Sequence, residues 1–309
     1  MRPANLKTRI FLDSGDPDET REALGLLGFF DGQTTNPSLI AKNPETAGKK
    51  FTREEILDFY KKVVQEISGL IPEGSVSIEV YADFSTPGLP TPSSSPPSHG
   101  GEKRLSMLEQ ARGMFHWIPN GHIKFPTTTE GLKAAEQAVK EGMGVNMTLC
   151  FSQEQAAAVY AATRGAQRGQ VFVSPFVGRL DDRGERGMDL IANIIKMYKQ
   201  GDGHVEVLTA SVRNIEHVLE ALRLGSDIIT MPLGVLENSK SQITNPKQIP
   251  NFPPKADPPL ADKFQIQNLK PIDYKELDLD KSWQEYDIGH ELTDIGMEKF
   301  SEDWNRLIK

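Results

Sequence analysis

The strongest constraint on this chain is an alternation that runs from Arg9 to Pro232. Short apolar runs of strand character are each followed by a stretch whose apolar residues recur at helical spacing. Strand signals fall at Arg9–Ser14, Phe29–Pro37, Val76–Ala82, Gly121–Thr128, Val145–Cys150, Val171–Val177, Val205–Ala210 and Asp227–Pro232. Helical patterns follow at Thr20–Leu27, Thr52–Ile67, Lys103–Phe115, from Glu130 onward, and at Gln153–Thr163, Gly187–Gln200 and Ile215–Leu224. Thr52 and Glu55 have the spacing of a capping box. Such alternation predicts a parallel sheet with helices outside it. Eight strands within roughly 230 residues fit a closed (β/α)8 TIM barrel of the α/β class better than an open doubly wound sheet. No glycine-rich phosphate loop follows any strand, and no internal repeat exists beyond the alternation.

After Leu233 the pattern lapses. Asn245–Lys263 is rich in proline and polar residues and reads as an extended connection, and His290–Leu307 reads as a terminal helix. The expected organisation is a barrel over residues 1–240, with residues 241–309 forming a connection and a helix packed on the barrel or on a neighbouring subunit. A homo-oligomer stays open. Ser85–Gly101, rich in proline, serine and glycine, is expected to be an exposed loop.

Composition removes several function classes. A formal net charge of −8 without a block of basic residues argues against nucleic-acid binding, while leaving room for a local basic pocket. The single cysteine, Cys150, excludes an intramolecular disulfide and points to a reducing compartment. No apolar run is long enough to span a membrane, and an acidic cluster follows Arg2, Lys7 and Arg9 too soon for a signal peptide. A cytoplasmic protein is expected. The histidines show no ligand spacing, so no metal is expected.

Barrel active sites lie at the C-terminal ends of the strands. Those ends carry Asp13 and Ser14, then Thr34, Thr35 and Asn36, then Glu79, then Lys124 and Thr127. Thr148, Ser174 and Phe176, and finally Ser211 and Arg213, complete the series. Lys124 alone reads as a solvated lysine guarding a strand. Asp13 and Asn36 read as turn caps, Arg179 beside Asp181 and Asp182 as a surface ion pair, and Thr148 as a strand former. Convergence of so many polar residues changes the balance, because barrel interiors favour branched apolar side chains. A buried ammonium loses solvation, its pKa falls, and the free amine attacks carbonyls. His122 lies toward the start of its strand and Cys150 lacks a base, so both read as packing.

Phe30–Ile40, containing Thr34-Thr35-Asn36-Pro37-Ser38, resembles the Thr-Thr-Asn-Pro-Ser signature of transaldolases. Ile123-Lys124-Phe125-Pro126 followed by Glu130-Gly131-Leu132 is similar to their Schiff-base strand, with Phe125 where isoleucine is more usual. Val145–Leu149, Ser174–Arg179 and Ala210–Asn214 match further blocks, so the resemblance spans roughly residues 9–235 in order. It implies transfer of a dihydroxyacetone unit between sugar phosphates, without metal or cofactor. By matching position, the catalytic residues implied are Lys124 for the imine, Asp13 for acid–base work, and Glu79 with Thr148 for ordering a water. The implied substrate-binding residues are Asn36, Thr35, Ser174 and Phe176, with Arg179, Ser211 and Arg213 at the phosphate. The fructose 6-phosphate aldolase branch typically has glutamine near Glu79 and tyrosine near Phe176. Glu79 and Phe176 therefore favour the transferase, although the Arg179–Gly187 loop is closer to that shorter branch. A non-catalytic sugar-phosphate-binding barrel is the rival from another class.

Overall fold

A computed structural model describes residues 2–81, 105–245 and 269–309. The Ser85–Gly101 loop and nearly all of the Asn245–Lys263 connection lie outside the described residues. Strands β1 (Arg9–Asp13), β2 (Gly32–Thr34), β3 (Ser75–Glu79), β4 (Gly121–Pro126), β5 (Gly144–Cys150), β6 (Val171–Pro175), β7 (Val205–Thr209) and β8 (Ile228–Met231) form one closed parallel barrel in sequence order. This is the expected (β/α)8 architecture.

Each strand faces two ways, and the sequence sorts its residues accordingly. Ile10, Leu12, Val76, Ile78, Ile123, Phe125, Val145, Met147, Val171 and Val173 are fully buried, and alternation assigns them to the outer face beneath the helices. Their alternates meet inside the barrel. Contacts between strands that are not neighbours establish this: Thr34 of β2 bonds Thr230 of β8 at 2.6 Å, and Phe11 of β1 packs edge-on against Phe172 of β6 at 6.2 Å.

The outer helices are α1 (Pro17–Leu27), α2 (Pro37–Ala41), α3 (Arg53–Leu70), α4 (Met107–Phe115), α5 (Thr129–Lys140), α6 (Gln153–Ala162), α7 (Val177–Asp182), α8 (Gly187–Tyr198), α9 (Ile215–Leu224), α10 (Leu233–Thr244) and α11 (Glu291–Asn305). The capping box at α3 forms, with Thr52 Oγ1 accepting from Glu55 N–H and the Glu55 carboxylate accepting from Thr52 N–H. Two expectations change. The sixth strand stops at Pro175 rather than Val177, because the chain turns at Phe176 into α7, which is too short to show a period. Leu233–Thr244 is helical, with Leu236, Ser239 and Ile243 buried on one face; polar residues between them dilute the sequence signal.

Past residue 269 the chain returns to the same barrel. Lys270 pairs with the α7–α8 turn through Lys270 N–H to Gly184 O (2.7 Å) and Arg186 N–H to Lys270 O (2.9 Å). Helix α11 then lies over the C-terminal mouth, where Thr293 Oγ1 donates to Leu149 O at 2.9 Å. Its Trp304 packs between Tyr60 and Tyr81, with ring centroids 5.8 and 5.9 Å away.

Candidate active site

Lys124 sits on the inward face of β4, two residues from the strand end. It is only 3% exposed, and its Nζ donates to Thr35 O at 3.0 Å. The register pairs it with Glu79 on β3 and Asn146 on β5. Glu79 Oε2 lies 3.0 Å from Lys124 Nζ in a buried ion pair, and no other group meets this oxygen. Burial raises the Glu79 pKa, with the Lys124 charge opposing the shift. Tyr60 of α3 supports Glu79 from behind, its hydroxyl accepting from Glu79 N–H at 2.9 Å while bonding Thr35 Oγ1 at 2.6 Å.

Asp13 ends β1 on the same face. Its Oδ1 accepts from Thr34 Oγ1 at 2.6 Å. Burial raises its pKa as well, and both the Lys124 charge and the Thr34 bond act against that rise. The two carboxyls flanking the amine are thereby better proton acceptors than exposed ones.

A polar rung crosses the interior beneath them. Ser174 Oγ donates to Asn146 Oδ1 at 2.6 Å, and Asn146 Nδ2 donates to Ser77 Oγ at 3.1 Å. Thr148, two residues on from Asn146, is fully buried, and its Oγ1 has no hydrogen-bond partner. The β5–β6 register shifts between Met147 and Cys150, and Leu149 adopts a left-handed φ of 55°, rare for a leucine. Backbone strain of this kind gathers at functional sites.

The other side of the mouth holds two arginines. Arg179 of α7 stacks on Phe176 and on Phe300 of α11, its guanidinium carbon 5.3 and 5.6 Å from the ring centroids. Its Nη1 is buried without a hydrogen bond. Burial first and Arg213 second hold the Arg179 pKa below its usual value. Arg213 is half-exposed and donates to Asp182 at 2.9 Å. Its backbone N–H donates to His217 Nδ1 (3.3 Å), so His217 Nε2 carries the proton given to Asp181 at 2.7 Å. Ser211 has φ 58°, and a Cβ built on Gly178 would lie 2.3 Å from Ser211 O and 2.6 Å from the Arg213 side chain, so only glycine fits there.

The structure thus gathers Asp13, Glu79, Lys124 and Thr148 in one mouth, with Ser174 one bond below. Thr35 presents its carbonyl to Lys124, while its hydroxyl faces Tyr60 and Ser77 O. Asn36 Oδ1 caps α2 by accepting from Leu39 N–H at 2.9 Å. Sequence reasoning passed over Tyr60, Asn146 and Phe300. Asn146 was readable, since it shares strand parity with Thr148. Residues of α3 and α11 reach the mouth only through tertiary packing. Among the described residues no group of three His, Cys, Asp or Glu side chains could hold a metal ion, and no helix is long and apolar enough to cross a membrane.

Fold and site together define a TIM barrel with a buried lysine–carboxylate centre at its C-terminal mouth. Residues 102–309 match the family described as Transaldolase/Fructose-6-phosphate aldolase. A "Probable transaldolase" of Dehalococcoides mccartyi is 42% identical over 228 residues, covering 74% of this chain and 88% of that protein. One from Anaeromyxobacter sp. is 40% identical over 229 residues, covering 74% and 88%, and one from Roseiflexus sp. is 38% identical over 296 residues, covering 96% of both. The chain belongs to the transaldolase/fructose-6-phosphate aldolase family, and is an enzyme of that type.

Proposed function

We propose that the chain is a transaldolase, moving a dihydroxyacetone unit from a ketose phosphate (fructose 6-phosphate or sedoheptulose 7-phosphate) to an aldose phosphate in the pentose phosphate pathway of the cytoplasm. The observation that carries this reading is the Lys124 amine, buried 3.0 Å from Glu79 and within the electrostatic reach of Asp13.

The amine gives its proton to a neighbouring carboxylate and adds to the ketose carbonyl, forming a carbinolamine. Glu79, with Thr148 helping to hold a water, protonates the departing hydroxyl, and loss of water leaves the iminium. Asp13 takes the proton from the C4 hydroxyl, the C3–C4 bond breaks, and its electrons pass to the iminium nitrogen. The aldose product departs and an enamine remains on Lys124. Attack of the enamine on an acceptor aldehyde, with the proton returned from Asp13, and hydrolysis of the new imine complete the cycle. Ser174 and Asn36 meet substrate hydroxyls, while Arg179, Arg213 and Ser211 hold the phosphate. Phe176, packed edge-on against Phe151 at 5.7 Å, has no proton to give, which favours transfer over release of free dihydroxyacetone.

Borohydride reduction in the presence of fructose 6-phosphate should fix one three-carbon or six-carbon adduct on the peptide containing Lys124. An adduct on another lysine would defeat the Lys124 assignment, and no adduct at all would leave a sugar-phosphate-binding barrel.

A further inference from the structure

We infer that Phe300 and Gly296 of α11 are positioning residues for Arg179, which makes the C-terminal helix part of the phosphate subsite. The inference rests on the reading of Arg179 as a phosphate ligand. Arg179 reaches the mouth from the short helix α7, and a long flexible side chain there has no single preferred geometry of its own. Three contacts restrict it. Phe176 stacks from the N-cap of α7, and Phe300 stacks from α11, at 5.3 and 5.6 Å. The third is the backbone of α11: a Cβ built on Gly296 would lie 2.6 Å from Arg179 Nη1 and 2.6 Å from Leu149 Cδ2. No side chain fits at position 296 with the guanidinium where it is.

Stacking engages the faces of the guanidinium and leaves its N–H edge for an anion. Nη1 has no hydrogen bond in the structure, although it is buried. A buried donor without a partner is costly unless a ligand supplies one. The strained Leu149 fixes where α11 lies, since its carbonyl accepts from Thr293 Oγ1 and its side chain abuts Gly296. The strained end of β5, the α11 backbone and the Phe300 ring therefore set one arginine. Phe300 is 7% exposed, so a purely packing role is the rival.

The two roles separate by substrate. Half-saturation of borohydride trapping is measured for fructose 6-phosphate and for dihydroxyacetone, which carries no phosphate, alongside the thermal midpoint of each variant. Phe300→Leu keeps an apolar side chain but loses the ring. It should raise half-saturation for fructose 6-phosphate about three- to tenfold, the scale of one partly desolvated cation–π contact, and leave dihydroxyacetone within twofold. Phe300→Tyr should restore the original value. Gly296→Ala should show the same selective rise, and it reads the same question if Phe300→Leu does not fold. Arg179→Gln is the control. If it lacks phosphate selectivity, the phosphate reading of Arg179 is wrong and the positioning role goes with it. If Arg179→Gln is selective but Phe300→Leu and Gly296→Ala change both substrates equally, or neither, α11 merely packs on the barrel and the inference is overturned.

Discussion

The two ends of this barrel treat charge in opposite ways. At the N-terminal floor, among the described residues, Arg9, Arg168, Glu206 and Asp227 are all paired. Arg9 of β1 donates to Glu206 of β7 at 2.5 Å, Arg168 bonds Asp227 at 2.5 Å and lies 3.2 Å from Glu206, and Asp227 accepts from Val207 N–H at 3.0 Å. His122 stacks flat on Phe172 at 4.2 Å with Ser75 Oγ at one ring nitrogen and Gly169 O at the other. At the C-terminal mouth, Thr148 Oγ1 and Arg179 Nη1 are buried without hydrogen bonds, Glu79 Oε2 meets only Lys124 Nζ, and Leu149 and Ser211 hold left-handed backbone. The other buried side-chain atoms without a hydrogen bond among the described residues, Arg223 Nε and Ser239 Oγ, belong to outer helices. Both ends use the same strands, so strand chemistry does not explain the difference. The floor is arranged for stability, and the mouth keeps polar groups ready for something that is not protein.

The sharpest way to break this contrast is Lys124→Arg. It preserves the charge opposite Glu79 but cannot supply a neutral amine, because guanidinium does not deprotonate at accessible pH. Turnover should fall at least about 10⁴-fold, measured as erythrose 4-phosphate-dependent transfer from fructose 6-phosphate. Residual transfer near the original rate would mean that the unmet groups of the mouth serve another chemistry.

The floor should reveal itself through acid rather than through turnover. Burial lowers the His122 pKa from 6.5 to about 4, with the bond to Gly169 O opposing the shift. The folded state therefore holds His122 neutral where the unfolded chain binds a proton. Its contribution is intact above pH 6.5 and is lost as pH falls from 6.5 to about 4, by up to about 3 kcal/mol. His122→Gln should flatten unfolding stability across that window, as followed by denaturant titration at several pH values, while transfer at pH 7 stays unchanged. An unaltered acid slope would show that the floor is not where the protein meets acid.

What the sequence exposed, and what it hid, follows the range of the interactions. The eight strands were legible because alternation is local, and α3 and α9 because a capping box and a clear helical period are local. Lys124, Glu79, Asp13 and Thr148 were legible because each lies at or within two residues of a strand's C-terminal end, and the barrel topology alone converts that into convergence. Helix α7 was hidden because six residues do not complete a second period, and the five residues of α2 were hidden inside a motif read for its chemistry. The support of Glu79 by Tyr60 and of Arg179 by Phe300 joins residues 19 and 121 positions apart in number, and no local pattern marks either pair. Even so, Asn36 shows that a bland reading can coexist with a functional one, since its Oδ1 does cap a helix.

The smallest effect expected is also the most direct probe of whether the mouth is strained. The Asp13 pKa is raised from 3.8 even though Lys124 lies nearby and Thr34 donates to it, so burial outweighs both. Between 3.8 and the raised value the folded state holds more protons than the unfolded chain, and stability falls as pH rises through that window. Above the window the whole penalty is present. Asp13→Asn removes the charge, keeps an Oδ1 to accept from Thr34, and should stabilise the protein at pH 7–8 by about 1 kcal/mol, roughly 2–4 °C in Tm. The gain should vanish below pH 3.8, where the carboxyl is neutral in both states. A gain that persists in acid would point to packing rather than charge. No gain at pH 7 would mean that Asp13 is as settled as the carboxylates of the floor, and the contrast between the two ends would rest on Glu79, Thr148, Arg179 and the left-handed backbone of Leu149 and Ser211.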